Sequence, residues 1–222
     1  MSNEKKRVVA RNLRLSARFR NVVFPIDMAE FAKVLMSSGY SLATQVPPPE
    51  PTSISRLSYA GQMARKGTLV VDANSERQFI GVTDVTPSNL IEGFEEVVSL
   101  VSDRTKVGGP LVPWFLEFQG HFEYFPEKTP LDLLKELSRS SRFLESWNRI
   151  LKKEVAFSGF KVAPASSVPD SAEFVQVVVE PSPGKSETSF EVIVIMRSTD
   201  AEAVRGFAKD CENAVSDLMK SL

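Results

Sequence analysis

Hydrophobic and polar residues alternate along two well-separated segments of the chain. In the first segment, four apolar side chains would share one face of a strand, and they are Leu13, Leu15, Ala17 and Phe19. The second segment, Trp114–Tyr124, alternates in the same way. Successive side chains of a strand point to opposite faces, so each segment predicts a strand with one buried face. We expect the first strand to end at Val23-Phe24-Pro25 and the second at the similar tripeptide Tyr124-Phe125-Pro126.

Each predicted strand is followed by a helix signal. Asp27 and Glu30 have the spacing of a capping box, and Thr129 precedes a proline at the first helical position. Apolar residues at helical spacing follow both caps. Two pairs of β-branched segments come next and predict hairpins; they are Thr68–Asp72 with Phe79–Thr83, and Phe174–Val179 with Phe190–Met196.

A second amphipathic helix is predicted after each of the two hairpins. One helix is expected to begin at Thr86, and the other at Thr199 with Glu202 completing a capping box. We therefore predict an α+β fold with an internal duplication of a β-α-β-β-β-α unit. Residues 1–107 would form the first copy with a basic N-terminal arm, and residues 108–222 the second, with an additional helical segment near 139–153. Antiparallel strands with helices packed on one face and a pseudo-twofold axis are the simplest arrangement.

The element order of the two predicted copies resembles the saddle of the TATA-binding protein family. The resemblance implies a two-copy antiparallel sheet and carries no site. This chain departs from that family in its charge, because the saddle needs a basic concave sheet, and in the additional helical segment.

Composition narrows the function classes. The chain has 222 residues, a net charge of −1 and a pI near 6.0, whereas nucleic-acid-binding domains usually have a pI above about 9 or a concentrated basic face. Cys211 is the only cysteine and His121 the only histidine, which excludes an internal disulfide or a multi-cysteine metal site. No segment reaches the roughly 20 apolar residues of a membrane helix, and no secretory signal is present, so we expect a cytoplasmic protein with no membrane partner.

Basic residues concentrate at the N-terminus. Residues 1–20 carry a net charge of +6 and the rest of the chain −7. Four arginines are candidates for binding phosphates or an acidic partner, and they are Arg11, Arg14, Arg18 and Arg20. The alternative is neutralisation within the sheet, because the polar face of the second strand carries Glu117, His121 and Glu123.

Other candidates for chemistry are weak. His121 would lie about 7 Å from Glu123 and about 13 Å from Glu117 along one strand, so a metal site there would need ligands from outside the strand. Six aromatic residues in 114–125 suit core packing or an apolar cavity, and Cys211 lies on the apolar stripe of the last helix. No phosphate loop, dinucleotide fingerprint, nucleophile elbow or metal-binding motif occurs. We predict no catalytic residue, cofactor or metal.

Three functions fit these observations. We favour a non-enzymatic interaction protein that binds a protein partner through its sheet face, N-terminal arm or loops; a homodimer is a further option. The first alternative is a carrier or sensor of a small apolar ligand held between helices and sheet. The second is a nucleic-acid-binding module that uses the arginine row.

Overall fold

Nine strands and five helices form an α+β fold in the part of the chain that the structure, a computed structural model, describes. That part comprises residues 7–43, 59–102, 111–139, 141–166 and 168–221. The strands are β1 (Val8–Phe19), β2 (Ser41–Leu42), β3 (Ala60–Lys66), β4 (Leu69–Asn74), β5 (Phe79–Asp84), β6 (Pro113–Tyr124), β7 (Phe160–Val162), β8 (Phe174–Pro181) and β9 (Phe190–Ser198). The helices are α1 (Met28–Ser37), α2 (Pro87–Ser102), α3 (Pro130–Arg139), α4 (Arg142–Leu151) and α5 (Ala201–Lys220).

The strands form one antiparallel sheet in the order β2-β3-β4-β5-β1-β6-β9-β8-β7. The predicted α+β class and the antiparallel sheet are thus confirmed. The two longest strands, β1 and β6, are neighbours at the centre and pair along almost their whole length. A β-bulge between Ala10 and Asn12 leaves Arg11 as an extra residue in β1.

The core lies between one face of this sheet and the helices α1, α2 and α5. As the alternation predicts, Leu13, Leu15 and Ala17 of β1 are buried, and Leu15 lies opposite Phe118 of β6. The apolar stripe of α5 packs over this centre, where the rings of Phe118 and Phe207 meet edge to face with centroids 5.5 Å apart.

Glycine allows close packing at two points of this core. A Cβ at Gly93 of α2 would lie 2.6 Å from Leu69 Cδ1, so the helix approaches β4 closely because residue 93 has no side chain. A Cβ at Gly120 would lie 2.7 Å from Phe122 Cζ, so that ring covers the glycine on the helix-bearing face.

Two predicted boundaries are wrong. The first strand ends at Phe19 rather than at Pro25, because the chain turns there and returns Phe24 to the core, where its ring meets Phe19 edge to face at 6.0 Å. The last helix is capped by Asp200 rather than Thr199: the Asp200 carboxylate accepts hydrogen bonds from the backbone N–H groups of Glu202 and Ala203. Thr199 instead donates to Glu173.

Other sequence predictions agree with the structure. Asp27 caps α1, and Thr129 accepts a hydrogen bond from the backbone N–H of Asp132 at the start of α3. The predicted additional helical segment is present as α4, which is separated from α3 by Ser141 at its N-cap. The boundary between the two predicted copies at residues 107 and 108 lies outside the described residues, as do residues 1–6 of the basic arm. The stretch 46–55, which contains four prolines, lies outside them too. None of the described helices is long and apolar enough to cross a membrane.

Candidate functional site

The second face of the sheet, which we call the open face, carries the side chains that do not point toward α1, α2 and α5. Its middle row crosses six strands from β4 to β8 and consists of Asp72, Gly81, Ser16, Glu117, Arg197 and Phe174. Most side chains of the open face are half-exposed. The polar faces predicted for β1 and β6 therefore lie side by side on this surface.

One ion pair crosses the first half of the middle row. Arg14 Nη2 lies 2.6 Å from Asp72 Oδ2, and both side chains are mostly shielded from solvent. The pair spans Gly81, where a Cβ would come within 3.2 Å of Arg14 Nη2. The Arg14 guanidinium also lies 4.5 Å from the centroid of the Phe79 ring, a cation–π distance. Arg14 is thus fixed by partners within the sheet.

A second ion pair, between Glu117 and Arg197, crosses the other half of the row. The Arg197 guanidinium lies 5.7 Å from the ring centroid of Phe115 and 5.2 Å from that of Phe174. It also donates a hydrogen bond to the carbonyl of Pro169. Like Arg14, Arg197 is held in one position by several groups.

Arg18 differs from these two arginines. The register places it directly opposite Phe79 of β5 on one side and Phe115 of β6 on the other. It forms no hydrogen bond or ion pair with any other described residue. Beside it in the middle row lie Ser16 and Gly81, and the Arg14–Asp72 ion pair covers Gly81. Arg20 lies beyond the end of β1, with its guanidinium 4.3 Å from the Trp114 ring centroid.

The expected pairing of the arginine row with the Glu117–Glu123 row forms at one position only. Arg14 lies opposite Gln119, and Arg18 opposite Phe115, so β1 and β6 do not bring these arginines to carboxylates. The exception is Arg11, which the β-bulge turns to the carboxylate of Glu123, with Nε 2.9 Å from Oε2. The open face is nevertheless largely neutralised, through carboxylates and arginines of β4 and β9.

Glu123 lies at one end of the open face beneath the β8–β9 loop. Its side chain is only 7% exposed and also accepts hydrogen bonds from Lys185 Nζ at 3.0 Å and Ser189 Oγ at 2.9 Å. Burial alone raises the pKa of this carboxyl, but the hydrogen bonds from Arg11, Lys185 and Ser189 outweigh burial and lower its pKa to about 2. Glu123 is therefore an anion across the physiological range.

A cavity of about 220 Å³ opens beside this carboxylate, lined by Arg11, Glu123, Lys185, His121 and Glu191 among others. His121 does not use Glu123 as its partner. Its Nδ1 lies 3.4 Å from Glu191 Oε1 on β9, and its Nε2 lies 3.3 Å from the Gln119 amide. The cavity thus combines two cations, two carboxylates and an imidazole, a lining that suits a small polar group rather than an apolar ligand.

No group of described residues has the composition of a metal site. Cys211 is buried in the core, and burial together with the negative charge of Glu212 raises the pKa of its thiol to about 12. The predicted core position of Cys211 is confirmed, and such a thiol has no thiolate available as a nucleophile at neutral pH.

Sequence reasoning missed the partners that shape this face. They come from distant strands and from the β8–β9 loop, and they are Asp72, Lys185, Glu191 and Arg197. Only the strand order and register bring them to the arginine row, so no local spacing could have indicated them. Comparison with models of known protein families and with curated protein sequences finds no match to the chain.

Proposed function

We propose that the protein is a non-enzymatic interaction protein that binds a protein partner on the open face of its sheet. The observation that carries this proposal is Arg18, a guanidinium without a described partner whose strand register places it between Phe79 and Phe115. Arginine and aromatic residues near the centre of an interface contribute most of the binding energy in many protein complexes. An acidic side chain or a terminal carboxylate next to an apolar group is the partner chemistry that this arrangement fits.

The surroundings of Arg18 support a binding role. Arg14 and Arg197 are each held by an ion pair and by aromatic rings, so the face around Arg18 is ordered before any partner arrives. Such order lowers the entropy lost on association. Six strands at a spacing of about 4.8 Å give a face of several hundred Å², on the order of what one partner contributes to a standard interface.

The other two functions have less support. Nucleic acid would require a basic surface, but carboxylates accompany the arginines on the open face, among them Asp72, Glu117 and Glu191. A carrier of an apolar ligand would require a dry cavity between helices and sheet, whereas the cavity beside Glu123 lies on the open face and has a charged lining. A homodimer remains an option for the same open face, and the single cysteine fits a cytoplasmic setting.

We also infer the internal duplication from the strand order. Read outward from the central pair, β1-β5-β4-β3 on one side corresponds to β6-β9-β8-β7 on the other, and a helix follows β5 as α5 follows β9. A pseudo-twofold axis between β1 and β6 would relate the two series. Residues 1–107 and 108–222 would be the two copies.

Photo-cross-linking tests the proposed function. A photoreactive amino acid is placed at Thr83, which is half-exposed on the open face, or at Lys209, which is exposed on α5. Each protein is irradiated in a lysate of the cells that make it. We expect a cross-linked protein from Thr83 only, and we expect Arg18→Glu to reduce its yield at least tenfold. Lys209→Glu, which changes an exposed cation on α5, the helix on the opposite face of the sheet, is the matched control.

The same proteins cross-linked from both positions, or a yield that Arg18→Glu leaves unchanged, would contradict a partner on the open face. A cross-link between two copies of the chain would identify the partner as a second copy. Thermal melts of each variant show whether a lost cross-link reflects unfolding.

A further inference from the structure

Helix α4 presents large apolar side chains to solvent. Phe143, Trp147 and Ile150 are 66%, 43% and 69% exposed, and the spacing of these residues places them along one side of the helix. The rings of Phe143 and Trp147 contact each other edge to face, with centroids 6.2 Å apart. Leu151 extends this row, which we call the α4 stripe, and is itself 49% exposed.

The α4 stripe borders the side of the helix that holds it to the protein, because Leu151 lies seven residues after the buried Leu144. Leu144 is the one buried side chain of α4, and the Asn148 side chain accepts a hydrogen bond from the backbone N–H of Val155. Phe143, Trp147 and Leu151 have helical spacing in the sequence, and all three are exposed in the structure. The helix is thus fixed on one side and offers an apolar ridge on another.

Cations without described partners concentrate around this ridge. Five exposed residues of the segment form no ion pair with any described carboxylate, and they are Arg139, Arg142, Arg149, Lys152 and Lys153. Exposed lysines and arginines elsewhere are commonly paired, for example Lys33 with Glu30 and Lys128 with Glu136. The segment 139–154 has only Glu145 and Glu154 to offset these five charges.

This charge pattern distinguishes between occupants of the stripe. A second copy of the chain would bring two such sets of cations together, which like-charge repulsion disfavours. An anionic surface would instead attract all of these cations together. The ridge is convex, and its aromatic and aliphatic side chains need no shaped pocket to enter a fluid apolar layer. A short helix with Trp, Phe and Ile on one side and Arg and Lys beside them is typical of helices that lie in a membrane interface.

We propose that α4 docks this protein on the surface of an anionic membrane. The α4 stripe would enter the boundary between head groups and acyl chains, and Arg142, Arg149, Lys152 and Lys153 would contact the anionic head groups. The sequence-based expectation of no membrane partner concerned segments long enough to span a bilayer, and a helix that lies on the surface needs no such length. In the proposed cytoplasmic setting, the anionic leaflet would be the inner one.

Vesicle binding tests this proposal directly. The full chain carrying Trp114→Phe retains Trp147 as its single tryptophan. It is mixed with vesicles of phosphatidylcholine alone, or of equal parts phosphatidylcholine and phosphatidylserine, and both Trp147 emission and co-sedimentation are measured. We expect a blue shift and binding at least about tenfold stronger to the anionic vesicles, weakened by added salt.

Substitutions separate the apolar and the charged contributions. Phe143→Ser with Ile150→Ser is expected to reduce binding at least about tenfold, while Val112→Ser, which changes a comparably exposed apolar residue away from α4, leaves it unchanged. Each of Arg142→Glu and Arg149→Glu is expected to weaken binding at least about fivefold. Lys209→Glu, a charge reversal on α5, is the matched control for these two.

Several results would overturn the proposal. They are equal binding to both vesicle types, no blue shift of Trp147, binding that survives loss of the stripe, or a blue shift that protein concentration alone produces. If the protein binds neither type of vesicle, the membrane proposal is wrong, and an acidic groove of a protein partner would be the alternative occupant of the α4 stripe. The proposal does not rest on the open face, so Arg18→Glu is expected to leave vesicle binding unchanged.

Discussion

Glu123 offers a direct test of how the open face is held together. The substitution Glu123→Gln preserves the size of a side chain that is 7% exposed, and it removes the charge that Arg11, Lys185 and Ser189 contact. The amide would keep one oxygen as an acceptor and would point an N–H₂ group at the remaining donors. The two cations would then share a weaker acceptor in a buried position, and the folded state would lose stability.

The magnitude follows from the pKa of Glu123. Its pKa is about 2 in the folded protein against an ordinary value of 4.5, and a shift of that size corresponds to about 3 kcal/mol in favour of the folded state. Arg11 and Lys185 are about half-exposed, so water screens part of their attraction. We therefore expect Glu123→Gln to lower the free energy of unfolding by about 2 kcal/mol at pH 7.

The pH dependence has a definite sign. Because folding depresses the pKa of Glu123, its contribution is complete above about pH 5 and is lost as the pH falls from about 4.5 toward 2. Urea titrations of wild type and Glu123→Gln at a series of pH values measure the difference. We expect more than half of the difference at pH 7 to be lost by about pH 3.

A constant difference between pH 7 and pH 3 would refute this reasoning, because the cost would then come from altered packing rather than from the charge. Glu180→Gln is the matched control, since Glu180 is an exposed carboxylate on β8 of the same sheet. It should change the free energy of unfolding by no more than about 0.5 kcal/mol at any of these pH values.

Three other substitutions or treatments test the fold. Gly120→Ala forces a methyl group against the ring of Phe122 and should lower the free energy of unfolding by about 1–3 kcal/mol in urea titrations. Asp200→Ala removes the N-cap of α5 and should lower the free energy of unfolding by about 1 kcal/mol. Thr199→Ala should lower it by less than about 0.5 kcal/mol. A larger effect of Thr199→Ala than of Asp200→Ala would indicate that Thr199 is the N-cap. Cys211 should react with a thiol reagent only as fast as the protein unfolds, and rapid reaction of the native protein would contradict its burial.

The strength of the local signal decided which elements were predictable. The alternation in β1 and β6, the cap of α1 and the apolar stripes of α1 and α2 are each visible in a short stretch of sequence, and the structure has these elements. Strand β3 lacks regular alternation of polar and apolar residues. It lies next to the edge of the sheet, where its charged side chains can remain in contact with solvent. The end of β1 depended on a tertiary contact between Phe19 and Phe24, which no local signal shows.

For the candidate site, the sequence predicted which side of each strand a residue lies on, but not which residues it contacts. Alternation correctly assigned Arg14 and Arg18 to the polar side of β1. It could not show that Arg14 would meet Asp72 while Arg18 would lie opposite Phe79 and Phe115, because that depends on the pairing of β1 with β5 and β6. Arg11 reached Glu123 through a β-bulge, a one-residue irregularity that reverses the strict alternation.

The central position of β1 has a consequence for the order of synthesis. Its twelve residues are made early, yet one of its two edges must wait for β6, which begins only at Pro113. Until then the nascent chain has a long strand with unpaired N–H and C=O groups on one side, the kind of edge that recruits other chains. Completion of the sheet is therefore a late, non-local event, and a ribosome stalled before β6 would hold a species prone to aggregate.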